Sequence, residues 1–179
     1  MRSKPEYRFF GGFSLQGEAE LFDTFKDPAP FCIGGFSYGA IKAYKYARTS
    51  GKRVDRLQLF SPAFFQDKDT KYKRLQIMFY QKDRAAYTQK FLENCTYPSP
   101  LNLDLYLGEA TKEELEELLH FEWVADELQN LVKNGTTLEV HLGKQDRIID
   151  AGKALEFFRP FATVYFYNDY GHILKGTAK

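Results

Sequence analysis

Gly35-Phe36-Ser37-Tyr38-Gly39 sets a serine between two glycines, after the apolar run FCIGGF and before residues with helical spacing. A G-x-S-x-G turn between strand and helix lifts a serine hydroxyl above the end of a sheet, where it can act as a nucleophile. Serine is a poor nucleophile unless a base, itself oriented by an acid, takes its proton. Three histidines are available. His141 falls inside the strand-like TLEVHLG and His120 inside a helical stretch, which gives both packing roles, whereas His172 lies in the NDYGHIL loop after the last strand-like segment. Asp146 follows Gly143 by three residues in LGKQDRIID. Asp150 is the rival acid, but it opens the helical AGKALEFF and reads as an N-cap; Asp169 is too close to His172 in the same loop. The favoured set is therefore Ser37, Asp146 and His172, each after a different strand, in the chain order of α/β-hydrolases. The competing reading is a structural β-to-α turn of a nucleotide-binding fold. Against it, the later glycines of a dinucleotide fingerprint and the Lys-Ser/Thr of a phosphate loop are missing.

Acyl transfer at a serine also requires backbone N–H groups aimed at the developing oxyanion. Tyr38, directly after the nucleophile, supplies one. The second falls in RFFGGFS, at Phe13, with Gly12 as the neighbouring candidate.

Five segments rich in branched and aromatic residues and bounded by turn formers read as strands: Tyr7–Phe10, Pro30–Phe36, Arg56–Pro62, Thr137–Gly143 and Thr163–Asp169. Most are separated by helical patterns, including LQGEAELFDTF and AIKAYKYARTSGK. This alternation predicts an α/β fold with a mainly parallel sheet and helices on both faces. Residues 66–135 differ, with no good strand and two helical stretches, KYKRLQIMFYQKDRAAYTQKFLE and TKEELEELLHFEWVADELQNLVKNG. The second opens on a capping box, Thr111 with Glu114, and ends at Gly135. Residues 1–65 and 136–179 are thus expected to form the core, and 66–135 a helical lid that Pro98 and Pro100 split in two.

A chain of 179 residues with 44% hydrophobic content and a net charge of +1 suits one globular domain and argues against general nucleic-acid binding. No apolar run approaches a membrane span and the start lacks a secretory pattern, so a cytoplasmic location is expected. Cys32 and Cys95 fit neither a disulfide framework nor metal-ligand spacing. The near-neutral average hides a local asymmetry. The first lid stretch carries Lys68, Lys71, Lys73, Arg74, Lys82, Arg84 and Lys90, and the second carries Glu109, Glu113, Glu114, Glu116, Glu117 and Glu122. Two solvated helices that pair with each other would account for this, as would a basic docking face. The lid aromatics Phe79, Tyr80 and Trp123 could line an apolar chain, although at helical spacing such residues are more often core.

The stretches RFFGGF, GGFSYGAIKA, LQLFSPAFF, KYKRLQIMFYQKD, GKQDRIID and YGHIL, in this order, resemble the pimeloyl-acyl-carrier-protein methyl ester esterases of biotin synthesis, in a short α/β-hydrolase form. The resemblance covers most of the chain, and LQLFSP and KRLQIMFYQKD narrow it beyond the wider superfamily. It implies hydrolysis of the methyl ester of a pimeloyl chain on acyl carrier protein, releasing methanol, with no cofactor and no metal. Ser37 matches the nucleophile, Asp146 the acid, His172 the base, and Phe13 and Tyr38 the oxyanion positions. Lys71, Lys73, Arg74, Lys82 and Arg84 are the counterpart, by region and charge, of the basic lid residues that contact the carrier protein. The chain departs from larger relatives in beginning almost at the first parallel strand and ending soon after His172, so their N-terminal antiparallel strands and final helix are expected to be missing. FGGF also replaces the more common His-Gly loop. An acyl thioesterase, a general short-acyl carboxylesterase, and a non-catalytic interaction protein on the same scaffold remain alternatives, and the oligomeric state is left open.

Overall fold

The computed structural model describes residues 7–177, in which five strands form one parallel sheet with strand order equal to chain order. β1 (Arg8–Phe10), β2 (Cys32–Phe36), β3 (Arg56–Phe60), β4 (Thr137–Gly143) and β5 (Thr163–Tyr167) lie within the five segments read from the sequence. All but β4 are one or two residues shorter than expected. The register aligns Gly35 with Leu59, Leu59 with Val140, and Val140 with Val164.

Among the described residues, six α-helices accompany the sheet: α1 (Tyr38–Thr49), α2 (Thr70–Lys82), α3 (Arg84–Thr96), α4 (Lys112–His120), α5 (Ala125–Lys133) and α6 (Ala151–Phe158). When successive parallel strands are neighbours, right-handed crossovers bring their helices to a common face. Accordingly, one face of the sheet, with Ile33, Leu57, Leu59, Val140 and Leu142, packs in one core with Ala40 and Tyr44 of α1, Leu128 of α5 and Phe158 of α6. The other face, through Phe36 and Phe60, packs against Phe22, Cys95 of α3, Leu103 and Leu174. Each fully buried Leu or Phe in these layers contributes roughly 1.5–3 kcal/mol relative to exposure.

Three predicted helices differ. The helix expected in LQGEAELFDTF is only a 3-10 turn, Glu18–Phe22, entered through Gly17 in a left-handed conformation (φ 76°). The first long stretch between β3 and β4 breaks at Asp83, whose backbone is extended (φ −153°, ψ 92°). Its carboxylate accepts the Ala86 N–H and so caps α3. A short acidic side chain that can bond the next turn competes with helix continuation. The second stretch breaks between α4 and α5, where Trp123 donates its indole N–H to the Ala63 carbonyl and its backbone N–H to the Gln66 side chain. The Thr111–Glu114 capping box forms in both directions.

Two acidic residues of α4, Glu114 and Glu117, pair with α1 and not with the basic helices, while Glu116 pairs with Lys112 within α4. Lys45 binds Glu117, Lys42 lies 3.6 Å from Glu114, and the Tyr38 hydroxyl donates to Glu117. Cys32 and Cys95 are both free and buried.

Candidate active site

Ser37 sits at the junction of β2 and α1 with φ 54° and ψ −114°, a conformation that side chains rarely adopt. Its backbone N–H donates to the Phe60 carbonyl on β3 (2.9 Å), and its carbonyl accepts from Ala40 and Ala63 (both 3.1 Å), so the turn is held from three sides. The flanking glycines are required by close approach. A side chain at Gly35 would run into the Gly39 carbonyl, and one at Gly39 into the carbonyls of Phe10 and Gly11. The second clash shows how tightly the loop after β1 crosses the start of α1.

His172 follows β5 and is completely buried, with Nε2 2.9 Å from Ser37 Oγ and Nδ1 2.6 Å from Asp146 Oδ2. An ionised carboxylate only accepts, so the proton of a neutral imidazole belongs on Nδ1 and the Nε2 lone pair faces the serine hydroxyl. Asp146 Oδ1 accepts from the backbone N–H of Ile148 (2.7 Å) and Ile149 (3.0 Å). Both of its oxygens are thereby engaged, and the carboxylate cannot swing away. Gly143, at the end of β4, touches the Tyr170 and Gly171 carbonyls so closely that no side chain fits, which keeps the acid loop against the histidine loop.

The structure thus brings Ser37, Asp146 and His172 into one hydrogen-bonded chain. Asp150 instead accepts the Lys153 N–H (3.0 Å) as N-cap of α6. Of the other histidines, His141 is buried, stacked 4.7 Å from Tyr165, and burial pushes its pKa down to about 4. His120 is exposed at the end of α4, where its Nδ1 meets the Glu116 carbonyl, so it does not pack in the core as expected.

Tyr38 follows Ser37 directly in the chain, and Phe13 and Tyr38 are both buried (1% and 4% exposed). Tyr38 is the first residue of α1, where a backbone N–H has no acceptor within the helix. Phe13 N–H donates to no group among the described residues. The Phe13 ring packs edge-on against Phe91 of α3 (5.5 Å) and near Tyr80 of α2 (6.1 Å). Ser37 is 3% exposed. A cavity of about 310 Å³, lined by Phe65, Phe79, Phe91, Leu115, Leu119 and Ile148, meets the site at the acid loop, where the Ile148 N–H binds Asp146; Ser37 is not among its lining residues. Of the three aromatics singled out in the sequence, Phe79 borders this cavity. Tyr80 and Trp123 are core residues tied to the Ala110 and Ala63 carbonyls.

The five basic residues separate into groups. Lys71, Arg74 and Lys82 are exposed on one side of α2 with Met78, whereas Lys73 is about 200° away from Lys71 around the helix and half-buried. None of these four forms an ion pair among the described residues. Arg84 is turned to a structural task, donating to the Ala110 carbonyl and lying over the Tyr80 ring. One residue that no sequence signal singled out, Glu18, is wholly buried with its carboxylate on the Gly12 N–H (2.6 Å). Among the described residues, no group of three His, Cys, Asp or Glu side chains is placed to hold a metal ion, and no helix is long and apolar enough to cross a membrane.

No protein-family model matches the chain, and no curated protein matches it. Solved structures do. An esterase from Exiguobacterium antarcticum superposes with a TM-score of 0.67 at 16% identity, over 94% of this chain and 86% of that one. Carboxylesterase NP, the naproxen esterase of Bacillus subtilis, gives 0.63 at 12% identity, over 97% and 79%. MenH from S. aureus gives 0.64 at 11% identity, over 98% and 90%. At such identities the likeness is one of fold: the chain has the α/β architecture of these hydrolases.

Proposed function

We propose that the protein is a serine carboxylic ester hydrolase acting on the methyl ester of a pimeloyl chain carried by acyl carrier protein. The observation that carries the hydrolase reading is the buried Ser37–His172–Asp146 chain on a strained strand-to-helix turn. Ser37 gives its proton to His172 Nε2 as Oγ attacks the ester carbonyl, and the Phe13 and Tyr38 N–H groups receive the oxyanion. Asp146 holds the imidazole in the productive tautomer and stabilises the imidazolium. His172 then passes the proton to the departing methoxide, releasing methanol, and a water molecule activated by the same base clears the acyl-enzyme.

Residues 66–135 serve as a lid in this reading, which is supported by the packing of Tyr80 and Phe91 on Phe13 and by the 3% exposure of Ser37. The methyl ester and carrier rest on the sequence resemblance, the apolar cavity beside Phe91 and Ile148, and the unpaired basic side of α2. The esterase and carboxylesterase among the structural neighbours favour a second reading, a general short-acyl carboxylesterase.

The test is incubation with methyl-pimeloyl-acyl carrier protein, followed by intact-protein mass, with Ser37→Ala alongside. Loss of the methyl group with the wild type alone is the expected outcome. Cleavage of the thioester would replace the reading with a thioesterase, and hydrolysis of p-nitrophenyl butyrate alone would favour the general carboxylesterase. A folded wild type that cleaves nothing and takes up no fluorophosphonate at Ser37 would leave a non-catalytic interaction protein.

A further inference from the structure

We propose that Glu18 is a positioning residue for the oxyanion-binding loop, acting through Gly12 on the direction of the Phe13 N–H; this rests on the serine hydrolase reading above. Glu18 is 0% exposed and opens the 3-10 turn between β1 and β2. Its Oε1 accepts the Gly12 N–H at 2.6 Å, and no cation pairs with it among the described residues. Oε2 has no hydrogen-bond partner among the described residues. The carboxylate also presses against Gly11, where a Cβ would come within 2.9 Å of Oε1. Burying an unpaired carboxyl is costly, and burial here raises its pKa above the usual value, against the lowering effect of the Gly12 bond and of Lys42.

The hydrogen bond falls where the loop is softest. Glycine has two freely varying torsions, and the peptide planes on either side of Gly12 are set by them. Glu18 holds the plane before Gly12 through its N–H. Leu15 holds the plane after it, donating its N–H to the Gly12 carbonyl at 3.2 Å. That second plane also carries the Phe13 N–H, which points opposite to the Gly12 carbonyl. Both torsions are therefore clamped, and the donor is aimed before any substrate arrives. From the other sides the loop meets the Phe36 ring, close to Gly12, and Gly39 at the start of α1. Among the described residues Glu18 makes no hydrogen bond to Ser37 or His172, and it need not exchange a proton.

The experiment compares Glu18→Met, similar in size but without an acceptor, with Glu18→Gln, which keeps one, using p-nitrophenyl butyrate. Loss of a complete oxyanion donor costs about 100- to 1000-fold in turnover, so a misdirected one is expected to lower kcat about 10- to 100-fold. KM should stay within about two-fold, because the oxyanion exists only after attack. Glu18→Gln should recover most of the wild-type kcat. Affinity for a trifluoromethyl ketone, which forms a tetrahedral adduct with the serine, should fall in parallel with kcat in Glu18→Met and return in Glu18→Gln. Wild-type kcat in Glu18→Met, a loss confined to KM, or a Glu18→Gln as impaired as Glu18→Met would each overturn the proposal while leaving the hydrolase reading intact. A wild type without esterase activity or fluorophosphonate labelling would overturn both. Should Glu18→Met fail to fold, the wild-type Gly12 amide decides by NMR. A far-downfield, exchange-protected resonance that titrates with one buried carboxyl supports the clamp, and an ordinary solvent-exchanging amide refutes it.

Discussion

At the scale of single residues, the choice between Asp146 and Asp150 turns on how the carboxylate oxygens are used. Asp146 spends Oδ1 on two backbone N–H groups and Oδ2 on His172, so the acid is held by its own loop before it meets the base. Asp150 spends its side chain on the first turn of α6. Replacing Asp146 by Asn puts an amide opposite His172, favouring the tautomer with its proton on Nε2, where it can no longer accept from Ser37. Asp146→Asn is expected to lower kcat on p-nitrophenyl butyrate by about 1000- to 10,000-fold with little change in melting temperature. Asp150→Asn, which still caps a helix, should leave kcat within about two-fold. Comparable losses in both variants would exclude the assignment.

At the scale of elements, the segment between β3 and β4 is tied to the nucleophile helix by charge. Glu117 of α4 receives the Tyr38 hydroxyl and the Lys45 ammonium, while Lys42 lies over the Tyr38 ring at 4.3 Å and near Glu114. Although desolvation alone would raise the Glu117 pKa, the bonds from Lys45 and Tyr38 outweigh it and hold the carboxyl below its usual 4.5. Because the folded pKa is the lower one, the contribution to stability is complete above the unfolded value and is lost as pH falls through the folded value. Glu117→Gln should therefore destabilise the protein by about 1 kcal/mol near pH 7, a modest figure suited to a partly exposed pair. Urea unfolding should show the difference from wild type shrinking below about pH 4. A difference that stays constant across this range would mean that Glu117 acts through packing and not through charge.

At the scale of the whole molecule, pairing between α1 and α4 absorbs acidic charge that could, from the sequence alone, equally have met the basic helices. Lys71, Arg74 and Lys82 are left facing outward beside Met78, an arrangement suited to an acidic partner with an apolar contact. The double variant Lys71→Glu/Arg74→Glu is expected to raise KM for methyl-pimeloyl-acyl carrier protein about ten-fold or more, with p-nitrophenyl butyrate hydrolysis unchanged. Increasing salt should raise the wild-type KM for the carrier substrate in the same direction, as screening of exposed charges requires. Equal kinetics in variant and wild type would move the docking surface elsewhere.

Much of this protein was determined by its sequence, because the decisive features are local. The apolar runs, the glycine spacing around Ser37 and the turn residues bounding each segment determined five parallel strands and the ends from which Ser37, Asp146 and His172 emerge. The Thr111–Glu114 cap was legible for the same reason: its partners are three residues apart. Tertiary structure decided what depends on distant partners. Helical periodicity runs through Asp83 and through residues 121–124, yet the chain breaks at both places, because Asp83 bonds the next turn and Trp123 reaches back to Ala63 and Gln66. The ion pairs of α4 could not be read from charge runs, since Lys42 and Lys45 lie some seventy residues away in the chain. Glu18 carries no local mark at all. Its significance appears only when folding removes it from water and leaves the Gly12 N–H as the hydrogen-bond donor to its carboxylate.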